Sequence, residues 1–128
     1  MSSNKYKVLV VQGLHEQGLE MLKNRTDIEF NVLMSDDENE ILDAVKDVNG
    51  ITVRTAKISI KIIAAANNLR VVSRHGVGYD SIDIVSLNNK KIPQTIAAHS
   101  NMISVSEQAM SFLLALSKNV FYYDVFTR

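Results

Sequence analysis

The chain has 128 residues, which is enough for one compact domain with a buried core. Its 46% hydrophobic and 22% charged residues are typical of a soluble globular protein, and the 14 basic residues balance the 14 acidic ones, so no excess positive charge favours nucleic-acid binding. Cysteine is absent, which excludes disulfides and thiol catalysis and fits a reducing compartment. The start of the chain lacks the apolar segment of a secretory signal, and no apolar run is long enough to cross a bilayer, so we predict a cytoplasmic protein without a membrane partner.

Five short runs rich in Val, Ile and Leu alternate with longer amphipathic segments. In chain order, the runs predicted as strands are residues 6–11, 28–33, 50–54, 69–73 and 92–97. The segments between them, predicted as helices, are residues 15–24, 36–48, 59–68 and 81–90. Uninterrupted apolar runs suit strands that are buried on both faces, as in parallel sheets. The alternation therefore predicts an α/β fold, an open parallel sheet of about five strands with helices on both faces.

Individual residues mark the boundaries of these elements. Ser35 and Glu38 stand at capping-box spacing and predict the start of the second helix. Asp83 either begins or caps the fourth helix. Pro93, the only proline, opens the fifth strand, where the loss of its N–H group does least harm.

The last segment is predicted to be one long helix from about Met102 to Phe126, with Ser100 or Asn101 as its N-cap. Residues 112–116 are apolar on every side of that helix, a pattern typical of a helix buried on several faces. The preceding elements can cover one side only, so we expect a second domain or a second chain on the other. The chain is therefore expected to be a piece of something larger.

Polar loops follow four of the predicted strands, at residues 12–15, 54–57, 74–80 and 98–101. The basic side chains and histidines that they bring to this edge, besides His15, are Arg54, Lys57, Arg74, His75 and His99. Ligands of open parallel sheets bind beyond the carboxyl ends of the strands, and helices that start there present N–H groups suited to an anion. The loops therefore predict a site for a small anionic ligand. The alternatives are that the arginines are plain surface residues and that the histidines, His15 above all, only cap helices or lie on the surface.

The G-x-G pair formed by Gly76 and Gly78 needs its own interpretation. A dinucleotide fingerprint requires a third small residue for helix packing and an acidic residue about 20 positions on for the ribose. Ser81 stands in place of the third glycine, and no acidic residue lies near position 100. The loop is therefore predicted not to bind a nucleotide. Its backbone N–H groups can instead form a nest that holds a carboxylate.

Four segments together resemble a known family. "VRTAKIS", "LRVVSRHGVGYDSIDI", "KIPQT" and "SNMISVSEQAMSFLLALSKN" are similar to the D-isomer-specific 2-hydroxyacid dehydrogenases, especially to members related to D-3-phosphoglycerate dehydrogenase. The resemblance covers nearly the whole chain. It implies a flavodoxin-like substrate-binding (catalytic) domain, incomplete over residues 1–101, and a helix over 102–128 that leads to an NAD-binding domain absent from the chain.

The resemblance also implies roles for matching positions. The loop of Gly76, Val77 and Gly78 would bind the substrate, with the N–H groups of Val77 and Gly78 directed at its carboxylate. Arg54 and Arg74 resemble positions that face the substrate, and its phosphate where there is one.

Asn101 also matches a family position, since it resembles the residue that begins the crossover into the cofactor domain. The features that follow have no match here. NAD is implied as the cofactor of the intact enzyme, with none bound to this chain. The family's arginine, glutamate and acid–base histidine would all follow later, so no catalytic residue and no metal ligand is expected here. His75 and His99 match neither the histidine nor its motif.

We therefore predict the substrate-binding part of an NAD-dependent D-2-hydroxyacid dehydrogenase, inactive alone. Its ligand would be a small anionic 2-hydroxy or 2-oxo acid. Two arginines favour 3-phosphoglycerate slightly over unphosphorylated acids, because arginine binds oxyanions in a bidentate manner. The alternative is a stand-alone flavodoxin-like module that binds a small anion.

The apolar residues of the 102–126 helix further predict a homodimer. In the dimer, the helices would pack against each other or onto the partner's sheet. The monomeric alternative is a helix that folds back over its own sheet. The residues expected at the shared surface are Val105, Ala109, Phe112, Leu113, Leu116, Val120 and Phe121.

Overall fold

A computed structural model describes residues 5–128 of the chain. The strands are β1 (Tyr6–Val11), β2 (Ile28–Leu33), β3 (Gly50–Val53), β4 (Val71–Arg74) and β5 (Gln94–Ile96). The helices are α1 (Glu16–Lys23), α2 (Glu38–Ala44), α3 (Ile60–Ala65), α4 (Ile84–Asn89), α5 (Met102–Ser117) and α6 (Val120–Thr127). The chain forms two compact units, one up to Ala97 and one from Ala98 onward.

The first unit is a parallel sheet with the strand order β2-β1-β3-β4-β5. This is the order of flavodoxin-like folds, in which the chain reverses direction across the sheet between β1 and β3. The predicted α/β class and flavodoxin-like sheet are confirmed. Each strand lies within a few residues of its predicted range; β5 is the shortest and begins directly after Pro93.

The pairing register brings the ends of the strands to one edge. Val11 pairs with Val53, Val53 with Arg74, and Arg74 with Ile96. The loops that follow β1, β3, β4 and β5 therefore start side by side.

One face of the sheet carries the core of this unit. Leu9, Ile51 and Val72 are almost completely buried on that face. They form one cluster with apolar side chains of α2, α3 and α4, among them Ile41, Ile62 and Leu87. The opposite face is less covered, since Val71 is 36% exposed there and lines a shallow groove with Val8, Leu14 and Met21.

Two of the predicted helix starts have different outcomes. The capping box of Ser35 and Glu38 is wrong, because α2 is capped by Asp37, whose Oδ1 accepts hydrogen bonds from Asn39 N at 2.9 Å and Glu40 N at 3.1 Å. Ser35 Oγ instead accepts from Asp37 N at 3.1 Å, two residues before the N-cap. Asp83 caps α4, accepting from Ser86 N at 2.8 Å.

The second unit corrects the prediction of a single helix through Phe126. Asn119 adopts a left-handed conformation, with φ 49° and ψ 39°, and separates α5 from α6. Asn119 N donates to Leu116 O, while Asn119 O accepts from Tyr122 N and Tyr123 N, so the break ends one helix and starts the next. Asparagine tolerates this conformation better than other residues with a side chain. Within residues 5–128, no helix is both long and apolar enough to traverse a lipid bilayer.

Candidate functional site

Three of the four predicted loops meet at the carboxyl edge of the first unit. They are residues 12–15 after β1, 54–57 after β3 and 74–80 after β4. The fourth, residues 98–101, lies in the second unit, where Asn101 precedes the first turn of α5 without a side-chain capping bond.

The loop after β4 presents backbone donors. Gly76 adopts φ 143°, its N donates to Arg74 O at 2.9 Å, and its carbonyl accepts from Ala97 N at 3.0 Å. Val77 and Gly78 follow at the exposed tip. Within the part of the chain that the structure describes, the N–H groups of Val77 and Gly78 have no hydrogen-bond partner. Two adjacent unsatisfied donors suit a carboxylate.

The Arg74 side chain bonds to the backbone of this loop. Its Nη1 donates to the carbonyl of His75, and its Nε is buried without an acceptor among the described residues. A Cβ at Gly76 would overlap the guanidinium, whose Cζ lies 3.1 Å from that position. Within residues 5–128, no ion pair joins Arg74 to the nearby carboxylates of Asp80 and Asp83.

The loop after β3 is attached to the loop after β4 at both ends. His75 N donates to Val53 O at 2.8 Å, Ile58 N to Ser81 O at 2.8 Å, and Asp83 N to Ile58 O at 3.0 Å. Arg54 and Lys57 lie between these attachments and are exposed. Neither forms an ion pair within the described residues, so both charges face solvent.

Gln12 opens the predicted loop of residues 12–15, but the sequence analysis did not identify its role. Its Oε1 accepts from Thr55 N and from Ala56 N, each at 2.6 Å, and its Nε2 donates to Thr55 Oγ1 at 2.9 Å. The side chain thereby joins the β1 loop to the β3 loop. The signal that could have indicated it is a polar residue before a glycine, directly after the buried strand β1.

The histidines have separate positions. His15 caps α1, with Nδ1 accepting from Gln17 N at 3.4 Å, which agrees with the alternative that it serves only as a cap. His75 is exposed on the β4 loop, and His99 lies in the second unit. Within residues 5–128, no three His, Asp or Glu side chains form a cluster that could hold a metal ion.

The β4 loop does not fit a dinucleotide. A dinucleotide-binding fold places the pyrophosphate at the N-terminus of the helix after the loop. Here the carboxylate of Asp83 occupies that end of α4, and a negative charge there opposes a phosphate. Gly76 N and O are also engaged within the unit. The β4 loop and the start of α4 therefore lack the features of a pyrophosphate site.

Comparison with known proteins identifies the family. Residues 8–124 match the profile of "D-isomer specific 2-hydroxyacid dehydrogenase, catalytic domain". Over 115 residues the chain is 33% identical to the D-3-phosphoglycerate dehydrogenase of Methanocaldococcus jannaschii, covering 89% of this chain and 22% of that protein. It is 31% identical over 130 residues to the glyoxylate reductase of Pyrococcus furiosus, covering 97% of this chain and 38% of that protein.

A solved structure agrees in fold. The NAD⁺-bound 3-phosphoglycerate dehydrogenase of Entamoeba histolytica superimposes with a TM-score of 0.75 at 24% identity, over 87% of this chain and 39% of that one. The chain thus spans about a fifth to two fifths of the proteins that it matches. With a catalytic-domain profile matched over nearly its whole length, the chain belongs to the D-isomer-specific 2-hydroxyacid dehydrogenase family.

Proposed function

We propose that this chain binds the substrate of an NAD-dependent D-2-hydroxyacid dehydrogenase. The observation that carries the proposal is the pair of unpartnered N–H groups of Val77 and Gly78 at the carboxyl edge of the sheet. A 2-hydroxy or 2-oxo acid has a carboxylate beside its reacting carbon. Holding that carboxylate at two fixed backbone donors orients the C2 atom without a side chain that could titrate.

The cationic side chains nearby would bind the rest of the substrate. Arg54 and Lys57 are exposed and free of ion pairs in the described chain, so an anion meets no internal competitor there. Arg54, with Arg74 below the loop, favours a phosphorylated acid such as 3-phosphoglycerate. The relatives act, by their names, on phosphoglycerate and on glyoxylate, so the choice among these acids is the part that needs experiment.

NAD supplies the hydride chemistry of the proposed enzyme and would be held by residues outside this chain. The work of the present residues is to bind and orient the acid, and Asn101 would begin the connection toward the cofactor. We therefore expect the 128 residues to bind the acid without oxidising or reducing it. The cytoplasmic location stays a prediction.

The experiment is an NMR titration of the isotope-labelled chain with glyoxylate, hydroxypyruvate and 3-phosphoglycerate. We expect saturable shifts of the Val77 and Gly78 amides with at least one of them, and no NADH oxidation by the same sample. Shifts that avoid the β4 loop with all three acids would contradict the proposal, and turnover would contradict the expectation of inactivity.

We also propose that the chain forms a homodimer through α5. Apolar side chains crowd this helix and remain exposed in the single chain; Leu113 is 63% exposed and Leu116 70%. Contiguous exposed apolar surface of this kind marks an interaction site.

The alternative of a stand-alone anion-binding module is less well supported, because residues 8–124 match the catalytic domain of a dehydrogenase family.

A further inference from the structure

We infer that Gln12 is a positioning residue that fixes the β3 loop for the substrate, an inference that rests on the proposed function. Gln12 itself is not in the loop that presents donors to the carboxylate. It acts through residues 54–57, which carry the cationic side chains of the site.

Both the oxygen and the nitrogen of the Gln12 amide bond to that loop. One oxygen accepts from two successive backbone N–H groups, Thr55 and Ala56, at 2.6 Å each. The nitrogen donates to Thr55 Oγ1 at 2.9 Å. A carboxylate at position 12 would keep the acceptor but lose the donor, and an apolar side chain of equal length would lose all three bonds.

The backbone of Gln12 is a second, independent observation. Its φ is 68°, in the left-handed region that side chains with a Cβ disfavour. Three described residues other than glycine have a positive φ, and Gln12 is the one at this edge; the others are Lys91 and Asn119. Gln12 N donates to Leu33 O at 2.7 Å, so the residue is held from both sides in a conformation that aims its side chain at β3. Unfavourable conformations persist where the surrounding structure over-determines them, often at functional sites.

The consequence is that Arg54 lies between two anchors. Gln12 holds Thr55 and Ala56 on one side, and the bond from His75 N to Val53 O holds the other side. The backbone that carries Arg54 is thus fixed before the anion arrives, which reduces the ordering cost of binding.

The test compares Gln12→Met, which keeps the length but not the bonds, with Gln17→Met, a matched change on the exposed surface of α1. Affinities for glyoxylate and 3-phosphoglycerate are measured by NMR titration of the 128-residue chain, together with hydrogen exchange of the Thr55 and Ala56 amides. We expect Gln12→Met to weaken binding about tenfold, the effect of about 1.4 kcal/mol, and to expose both amides to exchange. Gln17→Met should change neither.

Each outcome decides a different statement. If the wild-type chain binds no acid, the proposed function fails and this inference falls with it. If the wild type binds and Gln12→Met binds equally well while Thr55 and Ala56 exchange faster, the loop is released without effect and this inference alone is wrong. Should Gln12→Met not fold, Thr55→Val removes only the bonds between Thr55 Oγ1 and the Gln12 amide; we expect it to weaken binding about threefold, about the effect of one hydrogen bond, and unchanged affinity would overturn the inference.

Discussion

Gly76 is constrained by its positive φ and by the nearby Arg74 guanidinium, whereas Gly78 has neither constraint. Gly76→Ala would place a Cβ at φ 143° and into the Arg74 guanidinium. We expect a loss of about 1–3 kcal/mol in the free energy of unfolding, because both the backbone and Arg74 must move. Gly78→Ala is the control, since a Cβ there meets only Asp80 Oδ2 at 3.6 Å, an ordinary contact. Denaturant unfolding of both variants checks this, and equal losses would argue against it.

Arg54 is the residue that best tests the phosphate preference. It is exposed and forms no ion pair within residues 5–128, so Arg54→Ala should leave the stability of the fold within about 0.5 kcal/mol. A hydrogen bond to a charged group contributes about 1.5–3 kcal/mol, so we expect at least about tenfold weaker binding of 3-phosphoglycerate and a smaller change for glyoxylate. Titration calorimetry measures both. Arg70→Ala, at the opposite end of β4, is the matched control and should bind both acids normally.

At the scale of residues, the sequence predicted where the polar loops lie better than which hydrogen bonds their side chains form. The polar loops follow from strand ends, which hydrophobic runs reveal. The hydrogen bonds from Gln12 to the β3 loop could not be predicted from the hydrophobic runs. They depend on β1 and β3 being neighbours in the sheet although the two strands are not consecutive in the chain. The same holds for the Arg74 guanidinium beneath its own loop.

At the scale of elements, the start of α2 gives a direct test of capping. Asp37→Ala removes a carboxylate that accepts two N–H groups of the first turn, and should cost about 1 kcal/mol in the free energy of unfolding. Ser35→Ala is the control, because Ser35 bonds only to the N–H of Asp37, outside the helix, and its loss should matter less. Thermal unfolding measures both, and a larger effect of Ser35→Ala would restore the capping box that the sequence suggested.

The break between α5 and α6 shows why an apolar run predicts helix content but not helix ends. Residues 102–126 have the composition of one helix, and nothing in the periodicity changes at Asn119. The left-handed conformation of that residue is set by local bonds to Leu116 and from Tyr122 and Tyr123. Boundaries of this kind are decided by single residues whose preference is weak.

At the scale of the whole molecule, the strand order depends on information that the pattern of residues lacks. Alternating strands and helices predict a parallel sheet, but several orders satisfy the same alternation. The flavodoxin-like order came from the family resemblance, carried by segments such as "RHGVGYDSID", and the observed β2-β1-β3-β4-β5 sheet confirms it.

Self-association is the property of the whole molecule that the structure leaves open to test. Ala109, Leu113 and Leu116 lie at helical spacing on α5, and the two leucines are more than half exposed in the single chain. Burying each leucine would stabilise an association by about 1.5–3 kcal/mol, so a few such residues from each of two copies suffice for a dimer. Light scattering at tens of micromolar, about the range where such an interface is populated, should give twice the chain mass.

The variant Leu113→Glu/Leu116→Glu places charges on that surface and should give a monomer. Because both side chains are exposed in the single chain, the first unit should keep its fold, as shown by an unchanged amide spectrum for residues of β1 to β5. Met21→Glu, a comparable change of an exposed apolar residue on α1, is the control and should remain dimeric. A monomer mass for the unmodified chain would exclude the dimer, whereas a dimer that survives the double substitution would place the interface elsewhere.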